Sequence, residues 1–208
     1  MAIQTSIVTF KGKLDNIVGQ KSFGGYSVRK KVTPRNPRTI KQLTQRAKIK
    51  LIATFAGCLK GIINKTFKNS KRTSFSEFIN KNFETCFAGS YPNFEIQYDA
   101  VKVSQGPIQL PGNPSASVDG GNISVSWTDN TVADIPECQA EDKVNVVVYN
   151  SAQEQTICAL SGAKRSDNQT TVSIPAHWSG DNVEVWFCMS QPDTNRWGDS
   201  TYLGSLSV

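Results

Sequence analysis

The spacing of apolar residues changes at Tyr91-Pro92, and that change limits what the chain can fold into. Before it, Ile40, Leu43, Ala47, Leu51, Phe55, Cys58 and Ile62 recur every three or four residues, which places them on one stripe of a helix. After it, Phe94, Ile96 and Tyr98 alternate with polar residues, as do Ile123, Val125 and Trp127, then Val144, Val146 and Val148. A period of two marks a strand with one buried face. A helical part therefore precedes a β part, and the expected class is α+β.

Local signals divide these parts further. Residues 1–35 read as a basic extended arm or irregular hairpin, with short β-favouring pieces between Gly12, Gly19, Gly24 and Gly25. Asn36 is expected to cap a first helix, with Pro37 in its first turn, where a missing N–H has no partner to lose. Gly57 and Gly61 predict a kink or a close helix crossing. Ser74 and Glu77 have the spacing of a capping box. Phe75, Phe78, Ile79, Phe83, Cys86 and Phe87 follow at helical spacing, with Gly89 as the expected stop. The two facing stripes predict a helical hairpin over residues 36–90. It has too few large apolar residues for a core of its own and should lean on a partner.

Residues 91–106 read as linking strands, and Gly106, Pro107, Pro111, Gly112 and Pro114 form a turn-rich connection. Strands are expected over 122–130, 142–150, 169–175, 182–191 and 200–208, which predicts an antiparallel β-sandwich over 107–208. Trp127 in an early strand and the closing Tyr202-Leu203-Gly204-Ser205-Leu206-Ser207-Val208 resemble a fibronectin type III-like or immunoglobulin-like domain. That resemblance implies an architecture used in spacers, adhesins and virion decorations, and no particular activity.

Charge is distributed as unevenly as periodicity. Residues 1–82 hold 18 Lys and Arg against two acids, Asp15 and Glu77, a charge of +16. Residues 83–208 hold five against 15, a charge of −10, which leaves the chain at +6. The first part should be drawn to a polyanion or an acidic protein surface, and the second should repel nucleic acid. The competing reading is that the two parts pack on each other or on copies of each other. Arg29, Lys30, Lys31, Arg35, Arg38 and Lys41 crowd into 13 residues just after Phe23 and Tyr26, and Arg46 and Lys48 continue the series. Aromatic rings beside cations suit stacking on unpaired bases and neutralising phosphates. With no helix-turn-helix or zinc-finger pattern, such contact would be to the backbone and non-specific.

Residues that carry chemistry are sparse. The five cysteines, Cys58, Cys86, Cys138, Cys158 and Cys188, are odd in number and include no Cys-x-x-Cys pair, which argues against a disulfide framework or zinc site. Cys58, Cys86 and Cys188 read as small buried hydrophobes, while a Cys138–Cys158 bridge is open but not demanded. The one histidine, His177, excludes a His-rich metal site, and neither a Gly-x-Ser-x-Gly elbow nor a phosphate-binding loop is present. Asp129, Asp134, Glu137, Glu141 and Asp142 form an acidic loop that does not follow EF-hand spacing, so a solvated loop is favoured over a Ca²⁺ site. Trp178, Trp186 and Trp197 offer either a sugar-stacking surface or core, and core is favoured. No catalytic residue, cofactor or metal is expected. No run of 18 apolar residues suggests a membrane helix, and no basic leader before a long apolar run suggests export.

Landmarks along nearly the whole chain complete the reading: Gly24-Gly25-Tyr26, Asn36-Pro37-Arg38-Thr39 with Gln42 and Gln45-Arg46, and Gly89-Ser90-Tyr91-Pro92. Tyr98-Asp99, Val103-Ser104-Gln105-Gly106, Trp127-Thr128-Asp129-Asn130, Val148-Tyr149-Asn150 and Ser200-Thr201-Tyr202-Leu203-Gly204 follow. In this order they resemble an uncharacterised family of proteins about as long as this chain, common in Bacteroidota genomes, their prophages and phages. The Asn36-Pro37-Arg38-Thr39 start also resembles segments of phage structural proteins. The resemblance implies no catalytic residue. The expectation is a non-enzymatic phage virion component, capsid-associated, minor or decorating, made in the bacterial host cytoplasm. Its basic region would anchor it to nucleic acid or to acidic neighbouring subunits, its partners being other virion proteins or further copies, with no membrane. The alternative is an exported cell-surface adhesin-like or carbohydrate-binding module.

Overall fold

Arg38 takes a left-handed backbone (φ 48°), which no α-helix can include, and helix α1 (Ile40–Cys58) starts two residues later rather than at Asn36-Pro37. The computed structural model describes residues 2–3, 10–22, 25–33, 35–36, 38–68, 72–192, 194 and 196–208. Phe23, Gly24, Pro34 and Pro37 lie outside them. Contacts divide the chain into two units, Met1–Thr39 and Ile40–Val208.

The first unit is a four-stranded antiparallel sheet. Strands β1 (Ala2–Ile3), β2 (Gly12–Leu14), β3 (Ile17–Ser22) and β4 (Gly25–Lys30) lie in the order β1-β4-β3-β2. The β2–β3 turn uses Asp15 at φ 47°, a conformation Asp tolerates better than branched residues. Gly19 is needed where it stands, because a Cβ there would collide with the ring and carbonyl of Phe10.

The second unit begins with α1, α2 (Lys60–Thr66) and α3 (Ser74–Asn82). The break between α1 and α2 falls at the fully buried Leu59. Gly57 and Gly61 flank it on the exposed side, with open space where a side chain would stand, so they accompany a kink and not a close crossing. The cap of α3 is Thr73, one residue before the expected Ser74: its Oγ1 accepts from the Ser76 N–H at 3.3 Å. Glu77 faces Arg72 at 3.8 Å instead of closing a capping box. The helix ends at Asn82, whose buried amide donates to the carbonyls of Phe78 and Lys102, while its Oδ1 accepts from the Lys102 N–H. The chain then turns into the hairpin of β5 (Phe87–Ser90) and β6 (Asn93–Ile96). Gly89 is therefore a strand residue at φ 81°, not a helix stop, since Asn82 has already tied the helix end to residue 102.

Seven strands follow: β7 (Gly112–Asp119), β8 (Asn122–Thr128), β9 (Lys143–Asn150), β10 (Gln155–Lys164), β11 (Gln169–Ser173), β12 (Asn182–Ser190) and β13 (Thr201–Ser207). They form two antiparallel sheets, β11-β8-β7 and β10-β9-β12-β13. Ile123, Val125 and Val172 of the first share a core with Val144, Val146, Val148, Val185 and Phe187 of the second. The other face of the four-stranded sheet is equally dry. Val147, Tyr149, Trp186 and Cys188 pack with Ile52, Phe55, Leu59, Ile62 and Phe78 of the helices. Phe55 is the hub, with ring centroids at 5.0 Å from Tyr149, 5.7 Å from Tyr98 and 6.3 Å from Trp186. The partner that the helices were expected to need is thus this sheet, and β9 and β12 are buried on both faces.

Candidate polyanion-binding surface

Strand β4 ends in Arg29 and Lys30, and both are exposed. Cross-strand register aligns Lys13, Val18 and Arg29 in one row and Leu14, Ile17 and Lys30 in the next. Adjacent rows face opposite sides of a sheet, so Arg29 and Lys13 share a face that Lys30 does not. The Lys31 N–H donates to the Asn16 carbonyl at 2.6 Å, which fixes the chain as it leaves the sheet, and Lys31, Arg35 and Arg38 follow, all exposed. Residues 1–39 hold eight Lys and Arg against Asp15 alone. Ion pairs among the described residues are made by Arg72, Lys102, Lys164, Arg165 and Arg196, and none involves the cations of this segment. Tyr26 is half-buried, with the Lys21 ammonium 5.7 Å from its ring centroid, so one cation already occupies that ring.

The other three candidates lie on α1 in the second unit. Lys41 and Arg46 are exposed. Lys48 is half-buried, and its ammonium stands 5.1 Å from the ring centroids of both Phe87 and Phe94, where it bridges α1 to the β5–β6 hairpin. Helical spacing alone does not separate Arg46 from Lys48. The side of the helix that meets the hairpin does.

The acidic loop is largely spoken for. Asp142 is fully buried: its Oδ2 accepts from Arg165 Nη2 at 3.0 Å and from the Gln139 N–H at 2.9 Å. The fully buried Arg165 also donates to the carbonyls of Gln139 and Gln109 and to Asn130 Oδ1. Glu137 pairs with Arg196 and Glu141 with Lys164. Asp129 accepts from the Thr131 hydroxyl and N–H, and the hydroxyl bond is the main force holding its carboxyl below the usual range. Among the described residues no three potential metal ligands converge. The Asp142–Arg165 pair escapes a sequence reading because 23 residues separate its members, although an arginine in so cation-poor a half is the one available signal.

Trp178, Trp186 and Trp197 are 1%, 0% and 8% exposed, so they belong to cores and offer no sugar-stacking surface. His177 is exposed, with Nε2 at 3.4 Å from Gln155 Oε1. All five cysteines are free, and the Cys138 thiol donates to the Asn130 carbonyl rather than bonding to Cys158. Among the described residues no helix is long and apolar enough to cross a membrane.

Residues 9–204 match a family described as "Family of unknown function (DUF6266)". No curated protein matches the chain.

Proposed function

The chain belongs to that family of unknown function, and on that premise we propose that it is a non-enzymatic structural protein, a phage virion component whose first unit grips a polyanion. One observation carries the reading: Arg29, Lys30, Lys31, Arg35 and Arg38 are exposed, in a unit with a single acid, and none is in an ion pair among the described residues. Phosphates that meet such a surface displace condensed counterions, and this favours binding without any reading of sequence. Lys41 and Arg46, on α1 of the second unit, are exposed as well. Lys48, engaged by two rings, belongs to the packing.

The β-rich part of the second unit, residues 83–208, would build rather than bind nucleic acid, since it carries −10. Its three strands against four, β11-β8-β7 facing β10-β9-β12-β13 across one core, support reading residues 107–208 as a fibronectin type III-like or immunoglobulin-like sandwich. Such a protein is made in the bacterial cytoplasm and carried in the particle, beside other virion proteins or its own copies. Mass spectrometry of purified phage particles tests this. The chain should be found at a fixed stoichiometry, and its absence from particles whose genome encodes it overturns the virion assignment.

A further inference from the structure

The helix-covered side of the four-stranded sheet opens into a cavity of about 380 Å³. Its walls come from α1, β6, the turn at Tyr98 and the end of β9. Phe55, Phe94, Tyr98 and Tyr149 line it, and Glu95 and Glu154 are exposed at its rim. No residue lining it carries a positive charge. The carboxylates of Glu95 and Glu154 make no ion pair or hydrogen bond with another described residue. Tyr149 is 5% exposed, yet its hydroxyl bonds to no described residue and is not among the polar atoms sealed from solvent, so its oxygen opens toward the cavity that it lines.

Behind this wall stands another carboxyl without a cation. Glu184 is 7% exposed, lies directly across from Tyr149 in the β12–β9 register, and accepts a hydrogen bond from the Tyr202 hydroxyl. It takes part in no ion pair among the described residues. The phenols register this surplus of negative potential. Burial pushes the Tyr98 hydroxyl above its ordinary value, and Glu184 pushes it further. Tyr149 is raised by burial first, then by Tyr98, Cys58 and Glu154. Ring faces, carboxylates and a free phenol oxygen together attract a positive charge that can also donate hydrogen bonds. Lys48 already displays the chemistry next door, with its ammonium over Phe94 and Phe87.

We propose that this cavity binds an organic cation, a guanidinium or alkylammonium group, which stacks on Tyr98 and Tyr149 and pairs with Glu95 and Glu154. The site goes beyond the polyanion reading and does not depend on it. Its cation comes either from a free small molecule or from an Arg or Lys of a second copy, whose first unit carries eight cations against one acid.

The test titrates the full chain with L-argininamide at constant ionic strength, read by calorimetry and by tryptophan fluorescence, since Trp186 lies 6.1 Å from Tyr98. Saturable binding with a dissociation constant on the order of 1 mM is expected, and the neutral L-citrullinamide should give none. The double substitution E95Q/E154Q and the single Tyr98→Leu should each weaken binding about tenfold. Both glutamates are exposed, so the double variant should keep the wild-type circular dichroism spectrum. Sedimentation at low salt separates the sources. Self-association that argininamide reverses and E95Q/E154Q abolishes assigns the cation to a second copy, and a monomer that binds argininamide assigns it to a free molecule. A response that never saturates, or one unchanged in E95Q/E154Q, overturns the proposal.

Discussion

Phe55→Ala should destabilise the whole second unit, not only the helix that carries the residue. Phe55 is 2% exposed and its ring meets those of Tyr149, Tyr98, Phe78 and Trp186 at centroid distances of 5.0, 5.7, 6.2 and 6.3 Å. Two of these partners are on strands of the central sheet and one is on α3, so truncation opens a hole where three elements meet. Phe→Ala in a core costs about 3–5 kcal/mol, of which an edge-on aromatic pair supplies about 0.5–1.5. A domain stable by about 5–15 kcal/mol loses a large share of its margin. Urea unfolding should be followed by far-ultraviolet circular dichroism, which reports the helices, and by tryptophan fluorescence, which reports the sheets. Both transitions should move together to lower urea with an unchanged slope. A loss below about 1 kcal/mol would refute the reasoning. So would a helical transition that shifts alone, because the helices would then not share the sheet's core.

Arg165→Met should cost about 3–5 kcal/mol, because it leaves the buried Asp142 carboxylate with no counter-charge; a thermal melt matching the wild type would contradict this. Lys48→Gln should cost about 0.5–1 kcal/mol by removing the cation from two rings, and should leave nucleic-acid affinity unchanged. An affinity loss equal to that of Arg29→Gln would return Lys48 to the binding surface. Burial pushes the Cys188 thiol from its ordinary value near 9 up to about 12, and Cys86 up to about 11. The folded state therefore keeps protons that the unfolded state has lost, so the contribution of these thiols is intact below pH 9 and disappears as pH rises through 11 and 12. Chemical-denaturation midpoints should fall across that window, and midpoints constant from pH 8 to pH 11 would refute it. In native protein, thiol labelling should reach the half-buried Cys58 and Cys158 before Cys86, Cys138 and Cys188.

Periodicity was informative wherever an element buries one face. Ile123, Val125 and Trp127 alternate in the sequence and are buried, and Phe55 and Ile62 of the helical stripe reach the core. It was least informative in β9, where Val144, Val146 and Val148 stand out but Val147 and Tyr149 are just as buried, because the helices cover the second face. Ile40 belongs to the same helical stripe as Phe55 yet is 73% exposed, since the buried residues of α1 begin only at Ile52. Thr73 and Ser74 are equivalent caps on paper, and only backbone geometry at Thr73 chooses between them. Among the candidate cations the charges were legible at once. Which of them are free was not, because Lys48 is claimed by rings some 40 residues away in sequence. The cation-seeking cavity left no local trace, as its wall draws on α1, β6, Tyr98 and the end of β9.

The most direct test of the cationic grip is the affinity of the full chain for a single-stranded oligonucleotide across salt. Five engaged phosphates give a slope of log affinity against log salt of about −3.5, and about a hundredfold loss between 50 and 200 mM. The R29Q/K30Q/K31Q variant, which keeps only Arg35 and Arg38 of the five engaged cations, should bring the slope to about −1.4 at any base sequence. A slope near zero, or one that the triple substitution leaves unchanged, would contradict the account.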